Sequence, residues 1–373
     1  MGAILGVLVL LVILVWPTAR LWERLGFTPV CIQGSWPHLR IASCSSLVAP
    51  SAVTPLPLPT PSAEGPIPII VDDDGSPDGT VALLYFLRNP LFEVKVVTVS
   101  CGEAHPEVFA GHLQKLLAGL GRPDIPVGMG RATPLEGNNA FPDSWRQASD
   151  DFWGIDYPQA RASLEPVPAA ELIVETIRSS AQPVMVFVSG THTNLAEALR
   201  LDPGIVENVR DVYVMGGSIH VPGNIKSDWP EIDNTVAEWN IWVDPVAADE
   251  VFASDLEIRL VPLDATDQVL WTDSDARTWV SSGSPEGALA SDLLRMTLKS
   301  WSSTGVYVWD LVAAVYATDP ALCPEAPLSV DVTVAPGPNQ GQTVIANGPQ
   351  NVTVCLRPDA DQLRALAASV LGR

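Results

Sequence analysis

The chain has 373 residues, and 43 acidic side chains against 21 basic ones leave a net charge of −22. That excess argues against a nucleic-acid partner, whose phosphates require a basic face; with only 17% of residues charged and 47% apolar, a disordered acidic tail and a coiled coil are also set aside. Five cysteines, none in a Cys-x-x-Cys or Cys/His cluster, are too few for a disulfide-dense scaffold and give no zinc signature.

No charged side chain precedes Arg20, and Ala3 to Trp16 is a continuous apolar run. Residues 1–19 are short for a bilayer span but adequate for a tilted one. A signal-peptide core is the alternative, although a basic leading segment and a nearby small-x-small cleavage site are missing. A buried soluble helix is the third reading, against which no amphipathic face is visible. Arg20 and Arg24 would favour a cytoplasmic side after the run. The segment that follows favours export, because seven prolines between Pro50 and Pro68 predict an extended spacer of the kind found in stalks. The expectation is an anchor over 1–19, a linker over 20–65 and an extracytoplasmic domain over 66–373. Only three Arg and two Glu precede Pro66, so the acidity belongs to that domain.

Along the domain, apolar β-rich runs alternate with helical patterns. A strand is predicted over Ile67–Val71, a helix over Asp78–Arg88, a strand over Val94–Val99 and a helix over Pro106–Leu120. Next come a helix over Ala169–Ser179, a strand over Val184–Val188, a helix over Asn194–Leu201 and a strand over Val209–Met215. A helix over Pro245–Phe252, a strand over Leu256–Val261 and helices over Glu286–Trp301 and Trp309–Ala317 follow. Three short runs, Ser329–Val334, Thr343–Ala346 and Val352–Leu356, predict a small antiparallel extension before a last helix, Asp359–Leu371. Strands apolar throughout predict a sheet covered on both faces, and the alternation with helices predicts parallel order. The expected fold class is therefore α/β, an open, mostly parallel Rossmann-like sheet with a C-terminal β extension. In such sheets chemistry collects beyond the carboxyl ends of the strands.

Beyond the first strand stand Asp72, Asp73, Asp74 and Asp78, four carboxylates in seven residues. A solvated acidic turn with Asp78 as a helix cap is the plain reading. The two-residue strand period instead puts Asp72 and Asp74 on one side, with Asp78 at the next helix start, so three oxygens converge on a hard cation such as calcium or magnesium. The run IIVDDDGS also matches the DxDG(S/T) pattern of haloacid-dehalogenase-type phosphatases, with Ser189 as their second element. The later acidic pair of that class is missing, and lysine is scarce.

A different likeness covers nearly all of 66–373. IIVDDDGSPDGTVALL aligns without gaps to an hhDxDxGxDDAxAL signature, and five further blocks follow in order: VMVFVSGTHTNLAEAL, VRDVYVMGGSIHVPGN, AEWNIWVDPVAADEVF, LVPLDATDQV and VYVWDLVAA. In these the domain resembles the inosine–uridine-preferring nucleoside hydrolase family. The resemblance implies calcium-assisted hydrolysis of ribonucleosides to base and ribose, by a homo-oligomer of two or four subunits. It assigns Asp74 to calcium and to the general base, Asp310 and the Thr193 carbonyl to calcium, and Asp72 to support of that cluster. Asp78 would orient the ribose 2'-hydroxyl, with Asn224, Glu238 and Asn240 on the remaining hydroxyls.

Two departures stand out. Gly79 replaces an acidic calcium ligand of the family, and Glu103 replaces an asparagine, bringing a carboxylate that would compensate within the substrate-binding set. Trp309 stands where some members carry a histidine acid, and a stacked indole could polarise the leaving base instead. Trp239 is a second candidate for stacking; Trp145, Trp153, Trp229 and Trp242 read as packing. His192, beside Thr193, is the histidine expected nearest the pocket. Cys31 with Cys44, and Cys323 with Cys355, pair if the domain is exported; reduced thiols are the alternative. A non-catalytic nucleoside-binding domain is the reading that Gly79 leaves open.

Overall fold

The computed structural model describes residues 30–33, 40–43, 56–58, 60–161 and 165–373. The expected anchor over 1–19 lies outside these residues, as does Cys44 and with it the Cys31–Cys44 pairing. Among the described residues no helix is long and apolar enough to cross a membrane. Within the unit 1–50, β1 (Val30–Gln33) and β2 (Arg40–Ser43) pair antiparallel, Val30 opposite Ser43. This ladder falls inside the stretch expected as linker.

The second unit starts its sheet where the prolines end. β3 (Ile67–Asp73) is buried from Pro68 onward, as its unbroken Ile/Val run requires. β4 (Phe92–Val99), β5 (Val127–Met129), β6 (Val167–Pro168), β7 (Val184–Val188), β8 (Val209–Met215) and β9 (Ile258–Val261) follow, then β10 (Glu325–Leu328), β11 (Val330–Val332), β12 (Thr343–Ile345) and β13 (Val352–Cys355). One nine-stranded sheet runs β10-β13-β9-β8-β7-β3-β4-β5-β6. Every pairing in it is parallel except β10 with β13.

The chain builds from β3 through β4 to β6 on one side, then returns to place β7, β8 and β9 on the other. β3 is thus the point where strand order reverses, and a crevice opens beyond its carboxyl end. The acidic run Asp72–Asp74 ends that strand.

The predicted antiparallel extension is corrected in part. Only β11 and β12 form a separate antiparallel ladder, whereas β13 extends the main sheet beside β9. Short alternating runs specify a strand and its faces but not its partner. Cys355 at the end of β13 is disulfide-bonded to Cys323, the second pairing expected from the sequence.

Two helices packed on the sheet carry acids into the crevice. Pro77–Arg88 is capped by Ser76, whose Oγ accepts from Gly79 N at 2.9 Å, and Pro77 occupies its first turn. Gly79 to Leu87 are all buried, as are Asp310 to Thr318 of the helix Trp309–Thr318. Helices apolar all round belong between other elements. Tyr85 and Asn89 of the first both reach Thr318 of the second, at 2.9 and 3.0 Å. That tie joins their C-terminal ends, and at the N-termini Asp310 N donates to Asp78 Oδ2 at 3.3 Å, so Asp78 and Asp310 stand side by side in their first turns.

Candidate functional site

The carboxyl ends of β3, β4, β7 and β8 and the two helix N-termini surround one pocket. Its wall includes Asp74, Asp78, Glu103, Asn224, Glu238, Asn240, Trp309 and Asp310, all predicted from the sequence. No Lys, Arg or His lines it among the described residues.

Asp74 is almost wholly enclosed, 2% exposed. Two glycines make room for it: a Cβ on Gly102 would lie 2.4 Å from Asp74 Cβ and from its Oδ2, and one on Gly190 would lie 2.3 Å from its Cβ. Both distances are shorter than real carbon contacts, so any larger residue displaces the carboxylate. Gly190→Ala is therefore expected to cut kcat about 10²-fold, the penalty of a misplacement near 1 Å, with melting lowered by only a few degrees. Steady-state turnover and calorimetric melting on one preparation check this; unchanged kcat would show that Asp74 tolerates the shift.

Asp74 Oδ2 accepts from Glu103 N at 3.3 Å, whereas its Oδ1 is buried with no hydrogen-bond partner among the described residues. Asp72 is not at the pocket wall but beneath it. Its Oδ1 accepts from Thr98 Oγ1 at 2.6 Å and Asn194 Nδ2 at 2.8 Å, and its Oδ2 has no partner among the described residues. Asp310 Oδ2 accepts from Ser76 Oγ at 3.2 Å, and Asp78 Oδ2 accepts from Asp310 N at 3.3 Å. Each of these acids is thus held by a neighbour on another element.

Burial, and then the mutual repulsion of these acids, disfavours their charged forms. Asp74 is driven well above the ordinary carboxylate range by burial and by the charges of Asp73 and Asp78. Asp310 and Glu103 are driven well up likewise, by burial and then by Asp78 and Asp74. Burial pushes Asp73 up to about 7, and Asp72 to about 6 against the hydrogen bonds from Thr98 and Asn194.

Among the described residues, no group of three or more His, Cys, Asp and Glu side chains already stands at the spacing that encloses a metal ion. The donor set nevertheless suits a hard cation. It is oxygen only, it offers buried unpartnered oxygens on Asp72, Asp73 and Asp74, and it has no cationic side chain to offset it. Thr193 opens the helix Thr193–Leu201 with its side chain turned to Asp244 at 2.6 Å, and the pocket-facing residue of that loop is Ser189.

The remaining polar groups come from the segment after β8. Glu238 caps the helix Trp239–Val243 by accepting from Asn240 N and Ile241 N, at 2.9 and 3.2 Å, and also accepts from Gly217 N at 2.9 Å. It is both a wall of the pocket and the staple of its own loop. Burial pushes it up to about 7 despite those three donors. Asn240 gives Nδ2 to the carbonyls of Ser189 and Met215, which leaves Oδ1 as the atom it offers the pocket. Asn224 Oδ1 has no partner among the described residues.

The opposite wall is aromatic. Phe141 and Trp239 stack with centroids 4.9 Å apart, and Trp145 lies 5.4 Å from Trp239 and 5.7 Å from Trp301. Trp145, expected as packing, therefore lines the pocket; Phe141 and Trp301 join it without any sequence signal beyond the high tryptophan count. Trp309 donates Nε1–H to Asp267 Oδ1 at 2.9 Å, so its N–H is committed, while its ring, flanked by Tyr307 at 5.8 Å and Trp301 at 6.1 Å, lines the pocket. A second cavity of about 230 Å³ adjoins, sharing Asp78, Glu103, Trp145, Trp301 and Trp309.

The expectation for His192 is corrected. It is fully buried, edge-on to Phe252 at 5.5 Å, and desolvation lowers it to about 3, so it is a neutral core residue.

With this geometry in place, comparison with known proteins is specific. Residues 69–365 match the family model described as inosine-uridine preferring nucleoside hydrolase. The chain is 30% identical over 284 residues to the pyrimidine-specific ribonucleoside hydrolase RihA of Salmonella enteritidis, spanning 75% of this chain and 88% of that one. Its structure superposes on a plant nucleoside hydrolase with a TM-score of 0.73 at 26% identity, covering 82% of this chain and 99% of the other. A purine-preferring ribonucleoside hydrolase from Gardnerella vaginalis shares the fold, with a TM-score of 0.71 at 23% identity over 82% of this chain and 99% of that one.

Proposed function

Because the chain belongs to the inosine-uridine preferring nucleoside hydrolase family, we propose that it hydrolyses the N-glycosidic bond of ribonucleosides with the help of bound calcium. The observation that carries this reading is one pocket with a carboxylate floor, hydroxyl-binding amides and an aromatic wall. The family match sets aside the phosphatase alternative.

Breaking the bond builds oxocarbenium-like positive charge on the ribose, and Asp74, Asp78, Glu103 and Glu238 surround the pocket with negative potential where it develops. Asp74 and Asp310, with the Thr193 carbonyl, would hold calcium, and Asp72 would support them from beneath. Bound there, calcium would anchor ribose hydroxyls and lower the pKa of water. Asp74 takes the proton of the attacking water as general base. Asp78, Asn224, Glu238 and Asn240 hold the hydroxyls, so a deoxy analogue would strand buried polar groups and react poorly.

The departing base needs a proton or hydrogen bond. Trp309 offers a face for stacking but no free N–H. Asp228 lines the aromatic side, accepts from Trp239 Nε1 at 3.3 Å, and is pushed by burial up to about 6, so its protonated form is available in mild acid. Asp228→Asn is expected to slow natural nucleosides at least ~10-fold and to spare p-nitrophenyl riboside, whose leaving group needs no proton. Equal losses on both substrates would remove Asp228 from that role.

The overall reading is tested by incubating the protein with inosine, uridine and adenosine, with and without a calcium chelator. Release of base and ribose that ceases on chelation supports it. Nucleoside bound without turnover would make the chain a binding protein on a hydrolase fold. The run Ala3–Trp16 is proposed as a membrane anchor, to be judged by whether the protein sediments with membranes and is freed by removal of residues 1–19.

A further inference from the structure

Gly79 lies in the first turn of the helix Pro77–Arg88, facing the end of β3. A Cβ at this position would lie 2.7 Å from Asp73 Oδ1 and 3.0 Å from Asp73 Cγ, with Ser76 Oγ at 2.8 Å. The space a side chain at 79 would enter is therefore already filled by the carboxylate of Asp73. Asp73 is fully buried. Its Oδ1 accepts from Gly75 N at 2.7 Å, but its Oδ2 has no hydrogen-bond partner among the described residues. It is not itself part of the pocket wall, but it stands near enough for its charge to disfavour ionisation of Asp74, Asp310 and Glu103.

A buried carboxylate with an uncommitted oxygen is costly to keep unless something positive meets it. A turn acceptor alone does not need one, because asparagine or serine accepts from Gly75 N equally well. The glycine and the extra aspartate thus complement each other in volume and in charge.

We propose that Asp73 supplies the calcium site with the carboxylate that position 79 lacks, so that the ligand has moved from the helix to the strand end. The inference rests on the calcium reading above, and it turns the departure at Gly79 into an exchange within one site.

The test is calorimetric calcium titration of the chelator-stripped full-length protein, beside its Asp73→Asn variant and a swapped variant carrying Asp73→Ser with Gly79→Asp. Asparagine keeps the size and the Gly75 acceptor, so it isolates the charge. The expected result is a loss of calcium affinity of roughly 100-fold in Asp73→Asn, with the melting temperature of the stripped protein held or raised. The swapped variant is expected to recover affinity to within about tenfold of the parent. Unchanged affinity in a folded Asp73→Asn variant would overturn the inference and leave the calcium reading standing. A parent protein that binds no calcium would overturn both. If Asp73→Asn fails to fold, the swapped variant decides: recovered binding supports the exchange, and a folded swap without binding refutes it.

Discussion

Asp74→Asn is expected to abolish most turnover, lowering kcat by about 10³-fold or more, while the calcium-free protein becomes more stable. The two effects have opposite signs for one physical reason. Asp74 is buried among Asp73, Asp78, Glu103 and Glu238, and every one of those charges disfavours its own or is disfavoured by it. Asparagine is nearly isosteric, so it fits between Gly102 and Gly190, and its amide oxygen can accept from Glu103 N in place of Oδ2. Removing one of several like charges from a buried cluster should then gain on the order of 1–3 kcal/mol. A gain of that size raises melting by roughly 2–4 °C per kcal/mol. Catalysis loses the only group proposed to take the proton of water. Turnover by base release and calorimetric melting after chelation report the pair of effects. Retained turnover would remove Asp74 from the general-base role; lowered stability would mean that its charge was already compensated in the protein.

The second large effect concerns pH and calcium together. Burial carries Asp73 from 3.8 to about 7 and Glu238 from 4.5 to about 7, and drives Asp74, Glu103 and Asp310 well upward. Acids whose folded-state pKa is raised hold protons that the unfolded chain has already released. Their contribution to stability is complete below the unfolded value, and it is lost as pH rises through the folded one. The chelated protein should therefore be most stable near pH 4 and weaken up to pH 7–8. One acid carried as far as Asp73 accounts for about 4 kcal/mol of that fall, or roughly 10 °C in melting temperature. Calcium, bound as proposed, would act in the opposite sense, because it requires and stabilises the ionised carboxylates. The increase in melting temperature on adding calcium is expected to be several-fold larger at pH 8 than at pH 5. Melting curves at the two values, each with chelator and with calcium, measure both slopes. A calcium increment equal at the two values would separate the metal from these acids.

The proposed calcium site and the proposed Asp73 exchange share the same two elements. A site that draws its ligands from β3 and from the helix Trp309–Thr318 is assembled only when both elements are in place. Calcium binding there should then report folding of the crevice as a whole.

Much of this architecture can be read from residue order alone, because it depends on local rules. Unbroken apolar runs such as Ile69–Val71 and Val184–Val188 require cover on both faces, which gives the parallel sheet. The helix predicted from Asp78 begins one residue earlier, at Pro77, and its cap is Ser76 rather than Asp78. Acids directly after a buried strand locate the crevice, which marks Asp74 and Asp78; Asp310, in the first turn of a helix, was reached only through the family resemblance. The short polar helix Asp143–Asp150 was not predicted, since only Ser149 of it is buried and no apolar period marks it. Nor, beyond Trp239, was the aromatic wall, for Phe141 with Trp145, Trp239 and Trp301 meet from three separate segments, and one tryptophan resembles another until its neighbours are known. The partner of β13, the burial of His192, and the filling of the space at Gly79 by Asp73 are likewise contacts across the fold. Periodicity and caps act over a few residues and are written in the chain; which side chains share a cavity depends on how distant elements pack, and only the tertiary structure decides that.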